Sequence, residues 1–361
     1  MKKIITLLIA LTFFLVRFVY AQNLPSTTAT IVDKGGLFDS DEILEITLSG
    51  AMSDLLKDKS KDPIEYPIEL SYKDSENKEI ILPVKVRARG HFRRFLGNCS
   101  HLPLRIKFPK KDTIQQTIFS EQRKLKLVMP CKGEKYIIQE YLAYKLYNLI
   151  TPKSFRARLV KVTLENREAQ KQEPTVYGVL LEEEKQVAKR TKLISMERKI
   201  LPRQAERETF LAMAVFQYLI GNTDWSVEYL QNIKLLVQDS TFRMYAIPYD
   251  FDHAGIVNAP YAKPADALLL NSVKERRYRG FCLEDLEQFE PVIALYLQLK
   301  PDIYRLYEDS ELLDEKDKKF TRKFLDQFYD TISSTKKWQR EFAYPCDPRG
   351  TGNVVIQGLK N

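Results

Sequence analysis

The chain is expected to fold as a two-lobed α+β protein, an N-terminal antiparallel sheet followed by a C-terminal, mainly helical part. Three observations predict it. Apolar and polar residues alternate through the first third, as in Leu44-Glu45-Ile46-Thr47-Leu48 and Ile68-Glu69-Leu70-Ser71-Tyr72. Helical spacing takes over later, at about 134–149, 208–219 and 282–332. A strand pair, 232–237 and 242–247, turns around Asp239-Ser240 between those helices.

The elements follow in order. Lys2 and Lys3, an apolar run over 4–16 and the small residue Ala21 make a secretory signal over 1–21, too short for a comfortable membrane span. Arg17 near its end also fits an uncleaved anchor. Residues 22–35 are polar and read as a loose leader. Strands are expected at 44–48, 66–72 and 80–89, with Asp74-Ser75-Glu76-Asn77 as the turn, then at 104–108 and 124–129. The first strong helix, 134–149, carries Ile138, Leu142, Leu146 and Leu149 on one face and stops at Thr151-Pro152. Strands at 157–164 and 176–181 come next, and a charged stretch, 182–207, leads into the second strong helix. One domain is expected over 36–345, sheet-rich to about 180 and helical from 181, with a tail at 346–361.

The formal net charge is +9, and the leader supplies Lys2, Lys3 and Arg17 without an acid. The surplus favours anionic partners. Basic and acidic residues are interspersed along the chain without a basic stripe, so a nucleic-acid partner is not expected. Four cysteines in an exported chain suggest two disulfides; Cys99–Cys131 with Cys282–Cys346 is the simplest of three pairings. His91 and His101 lie near Cys99, but without CxxC or paired-histidine spacing zinc is a weak rival.

The second half holds a constellation suited to phosphoryl transfer. The second strong helix ends at Gly221 and hands the chain to Asn222-Thr223-Asp224-Trp225; Asn232 opens the hairpin, and Pro248-Tyr249-Asp250-Phe251-Asp252 closes it. Such chemistry needs one carboxylate to orient an acceptor hydroxyl, with Asn and Asp to hold a divalent metal on the phosphates. Glu140 shares a helix face with Ile137, Tyr144 and Tyr147, where a lysine partner is the natural remedy for its charge. Lys107 and Lys126 both lie on strands before that helix, and either could join it. Arg87-Ala88-Arg89-Gly90 ends a strand at a glycine and could bring cations over phosphate. Asp250 and Asp252 also fit turn caps, and Asp224 a helix cap. Trp225 and Tyr229 fit the core better than a ligand. His253 after Asp252 is weak evidence for catalysis, and no nucleophile elbow supports a hydrolase triad.

Taken in order, Arg87-x-Arg89-Gly90, Pro103-Leu104-Arg105-Ile106-Lys107-Phe108, Lys124-Leu125-Lys126-Leu127, Glu140-Tyr141-Leu142-Ala143-Tyr144, Tyr177-Gly178-Val179-Leu180-Leu181-Glu182 and the two acidic loops resemble the spore-coat protein H (CotH) kinase-like family over about 85–256. The resemblance implies an atypical protein-kinase-like fold that binds ATP with Mg²⁺ or Mn²⁺ and phosphorylates protein substrates in the envelope or outside the cell. By position it makes Asp224 the catalytic aspartate, Asp250 (with Asp252) and Asn232 the metal ligands, and Glu140 the helix glutamate, with Arg89, Lys107 and Lys126 as cationic candidates at the nucleotide. This chain departs from the kinase pattern. Seven residues separate Asp224 from Asn232 where the kinase loop has four, and HRD, strict DFG and GxGxxG are missing. A non-catalytic binding protein on the same scaffold is the alternative. The expected location is periplasmic or extracellular; the oligomeric state is not legible.

Overall fold

The computed structural model describes residues 36–58, 60–90 and 99–344. The expected signal peptide, the leader, His91 and the tail with Cys346 lie outside those residues. In chain order the elements are β1 (Leu44–Gly50), α1 (Met52–Lys57), β2 (Tyr66–Lys73), β3 (Glu79–Ala88), β4 (Leu104–Lys107), α2 (Lys111–Ile114), β5 (Lys124–Val128), α3 (Glu134–Ile150), β6 (Ala157–Asn166), β7 (Lys171–Gln172), β8 (Val176–Leu181), α4 (Glu184–Thr191), β9 (Ile194–Met196), α5 (Arg207–Ile220), β10 (Ile233–Val237), β11 (Met244–Pro248), α6 (Glu290–Glu308), α7 (Glu315–Ile332) and α8 (Thr335–Phe342).

The architecture is α+β, but the N-terminal sheet is not an open antiparallel one. Its order is β1-β2-β3-β4-β5-β8-β6, with β7 appended, and β1 also pairs with β6, which closes seven strands into a barrel. The closing pair is parallel, with Leu44 against Val160 and Gly50 against Asn166; the other neighbours are antiparallel. Alternation along each strand sends one side chain in two inward. Leu48, Leu70, Val84, Val86, Ile106, Leu125, Leu127, Val160 and Val162 fill the barrel.

A second core gathers the helices, and it does not respect the boundary expected near 180. Helix α3 belongs to it, buried on nearly all sides from Ile137 to Leu146, with Leu149 at the end of its seam exposed. The outer faces of β6 and β8 join it through Leu159, Val179 and Leu181, while Val160, Val162 and Leu180 of the same strands point into the barrel. A strand apolar on both faces reads as a continuous run rather than an alternating one. The described residues fall within one compact unit, with two cores that share these strands.

Within the charged stretch 182–207 the chain forms α4 and β9, and β9 extends the β10–β11 hairpin into a three-stranded sheet. Helix α8 follows the expected helical region and buries Trp338 and Phe342. Among the described residues no helix is long and apolar enough to cross a membrane. The Cys99–Cys131 disulfide is formed, tying the approach to β4 to the turn before α3. A bridge that spans 32 residues removes loop entropy from the unfolded chain; Cys99→Ser/Cys131→Ser is expected to lose about 3–4 kcal/mol in urea denaturation, and unchanged stability would show that the bridge constrains nothing.

A candidate acidic site at the mouth of a hairpin

Helix α5 carries the first acidic loop. Every residue from Phe210 to Ile220 is buried, so its C-terminus is fixed in the core. Gly221 caps it at φ +66°, where an added Cβ would come within 3.1 Å of the Val273 carbonyl. The side chain of Asn222 then accepts from the Asp224 amide at 3.0 Å and donates to Gln217 at 3.0 Å. Half-buried Arg279 clamps the loop from outside, donating to the carbonyls of Thr223 and, at 2.5 Å, of Trp225, with its guanidinium over the Trp225 ring. Trp225 is a buried core residue, whereas Tyr229 is half-buried, with the Lys199 ammonium 5.3 Å from its ring centre.

The hairpin brings the second loop back to the first. Ile233 pairs with Pro248, and the Tyr249 amide donates to the Asn232 carbonyl at 3.0 Å. Asn232 and Asp250 therefore flank the same open end. Both adopt left-handed backbone, φ +50° and +65°, which Asn and Asp tolerate better than most residues. Asn232 Nδ2 reaches across to the Asp224 carbonyl at 2.8 Å and to its Oδ2 at 3.0 Å, while Gln231 Nε2 donates to Oδ1. Farther on, Gly255 donates to the Gly221 carbonyl and Ile256 to that of Ile220. A Cβ on Gly255 would lie 2.3 Å from the Val273 oxygen, so this close approach requires glycine.

Helix α3 supplies the third side. Tyr144 Oη accepts from the Asp250 amide at 2.8 Å, and its ring packs on Phe251 at 4.6 Å. Burial and the charges of Glu140, Asp250 and Asp252 hold its hydroxyl far above the usual phenol range. Asp252 accepts from Tyr261 at 3.1 Å. Burial raises Asp224 as well, and the charge of Asp252 adds to it, against the opposing pull of His253, Arg279 and the Asn232 hydrogen bond.

The two candidate lysines part company. Lys107 is exposed and pairs with Glu65 at 3.0 Å. Lys126 lies at the edge of the helical core, with Nζ 4.5 Å from the centre of the Tyr249 ring and with Arg89, Asp250, Lys234 and Glu184 as its charged neighbours. Lys234 is itself paired to Glu184 at 3.0 Å, a partnership the sequence reading missed because Glu184 sits in the featureless charged stretch. Among the described residues neither Lys107 nor Lys126 forms an ion pair with Glu140, so the expected lysine–glutamate pair is not made between them. Glu140 is sealed at 1% exposure. Glu182, from the motif that ends β8, is also sealed and is held by Arg156 and Arg190.

The structure thus brings Asn232 onto Asp224, sets Asp250 at the same end of the hairpin with its amide on Tyr144, and gives Lys126 the charges of Arg89 and Asp250 as neighbours. Among the described residues no three His, Cys, Asp or Glu side chains form a group that could hold a metal ion.

No family model matches the chain, and no curated protein matches it. Among solved structures, the Helicobacter pylori proinflammatory kinase CtkA aligns with a TM-score of 0.37 at 11% identity, over 64% of this chain and 89% of that one. No residue role is carried over from it.

Two outcomes follow from the buried charges. Burial, with Arg89 nearby, pushes Lys126 down to about 8, so its charged form is disfavoured in the fold. That cost is present in full below about pH 8 and is relieved as pH rises towards about 10.4, the value of a free lysine. Lys126→Met should therefore raise stability at neutral pH by on the order of 1–3 kcal/mol, a gain that shrinks on going to alkaline pH; urea denaturation across pH checks it, and a pH-independent difference would contradict it. Arg279→Ala removes the donors to two carbonyls beside Asp224 and is expected to cost about 2–4 kcal/mol by the same measurement.

Proposed function

We propose that this chain is an exported phosphotransferase of the atypical, CotH-type kinase class, which transfers phosphate from ATP to protein hydroxyls. The observation that carries this reading is the direct contact of Asn232 with Asp224 at the hairpin mouth, beside Asp250. Phosphoryl transfer calls for a base, an amide and a metal carboxylate within one site, and in this reading Asp224, Asn232 and Asp250, brought to one end of the hairpin, take those roles.

In this reading Asp224 orients the acceptor hydroxyl and takes up its proton, a task suited to a carboxylate that burial has made more basic. The oxygens of Asp250, Asp252 and Asn232 are the hard donors that Mg²⁺ or Mn²⁺ prefers. Mg²⁺ usually rests on one or two carboxylates and completes its shell with water and substrate phosphates. Lys126 and Arg89 neutralise phosphate charge, and Lys126 replaces Lys107 as the residue to test. Bound nucleotide and metal would supply the transferable group and the divalent charge. The disulfide suits the oxidising compartment to which the leader pattern points.

A second reading, a non-catalytic binding protein, is favoured by one observation: both carboxylate oxygens of Asp224 already accept side-chain hydrogen bonds. Incubation with labelled ATP and Mg²⁺ or Mn²⁺ separates the two. Incorporation into protein is expected, falling at least about a hundredfold in Asp224→Asn and in Asp250→Asn, with both variants folded. A melting temperature raised by ATP with metal, without incorporation, would favour the binding protein. Neither incorporation nor a shift would overturn the phosphotransferase.

A further inference from the structure

We infer that the outer face of β3, β4 and β5 is a docking surface for an extended, acidic polypeptide segment. The strand register assembles it. Lys85 lies opposite Lys107, and Lys107 opposite Lys124. Two residues along, Arg87 lies opposite Arg105, and Arg105 opposite Lys126. The intervening residues, Val84, Val86, Ile106, Leu125 and Leu127, are buried in the barrel, so all six cations share the outward face. They form two rows of three, and Arg89 continues the line beyond Arg87.

Like charges directly opposite on neighbouring strands destabilise a sheet, and here the opposition is repeated across three strands and twice along them. Internal neutralisation is partial. Glu65 pairs with Lys107 at 3.0 Å and Asp62 with Arg87 at 3.7 Å; among the described residues Lys85, Arg105 and Lys124 have no ion-pair partner. Burial and the charges of Arg87 and Arg89 hold Arg105 below its ordinary value, as expected for a guanidinium crowded by cations. An anionic partner relieves this repulsion.

The geometry favours a peptide. Rows two residues apart on a strand are separated by about 6.8 Å, the spacing of every second side chain in an extended chain, so alternate carboxylates can meet successive rows. Sequence-tolerant binding of single-stranded nucleic acid relies on aromatic platforms, and the outward positions of these three strands hold none. Lys126 belongs both to the inner row and to the acidic site, so a segment lying on the track reaches that site. The inference rests on register and charge and stands without the phosphotransferase reading.

Fluorescence anisotropy of a labelled ten-residue polyaspartate with the purified full chain tests it. Binding is expected at low ionic strength and should weaken steeply with salt. Lys85→Glu/Lys124→Glu should weaken it at least about tenfold, whereas Lys316→Glu/Lys323→Glu, the same charge change at two exposed lysines of α7, should change it less than about twofold. Should charge reversal disturb the barrel, Lys85→Gln/Lys124→Gln makes the same comparison. Equal losses in both double variants, tighter binding of an oligothymidylate of matching charge, or no binding at low salt would each overturn the proposal.

Discussion

The arrangement of the acidic site depends on one aromatic junction. Tyr144 of α3 packs on Phe251 at 4.6 Å, Phe251 on Phe216 of α5 at 5.2 Å, and Phe216 back on Tyr147 of α3 at 4.4 Å. These rings lie between the loop after β11 and the two helices it must meet, and the Tyr144 hydroxyl adds a polar contact to the Asp250 amide. Buried aromatic pairs combine a large apolar area with preferred ring geometry. The junction therefore fixes direction as well as proximity, and the left-handed backbone of Asp250 is held by contacts on both sides.

Around that junction the protein keeps several charged groups away from water, each with compensation. Arg276 is driven down to about 10 by burial, yet it donates to the carbonyls of Leu219 and Phe324 and lies 3.8 Å from the centre of the Phe324 ring. Arg279 does the same for the Asp224 loop. Both come from the long irregular segment between the hairpin and α6, so that segment secures the end of α5 and the loop that follows it. Removing one partner from such a set leaves a buried polar group unmatched, which costs more than the contact itself contributes.

Much of this was legible in the sequence because it was local. The spacing of Ile138, Leu142 and Leu146 marked α3, and the turn at Asp239-Ser240 marked the hairpin that carries Asn232 and Asp250 to a common end. The features that escaped depend on which strands become neighbours. Nothing in residues 44–50 announces parallel pairing with 160–166, and a two-sided strand such as β8 gives no hint of which faces it serves. The choice between Lys107 and Lys126 was open because both alternate with apolar residues in the same way; only their distance from the helical core separates them. The cation rows escaped for a similar reason. Along the chain those lysines and arginines alternate with apolar residues and are scattered over three segments, and a stripe exists only once the register aligns them.

The parallel seam of the barrel has a bearing on how the molecule is made. The strand that starts the described fold finds one antiparallel neighbour, β2, soon after it emerges, but its other flank waits for β6. Contacts between such distant stretches are slow to form. Until β6 arrives, β1 presents an open edge, and helix α3, which precedes β6 in the chain, lacks part of the surface it packs on. The barrel can close once β6 and β8 have been made, whereas the helical core waits for the last helices, α6 to α8.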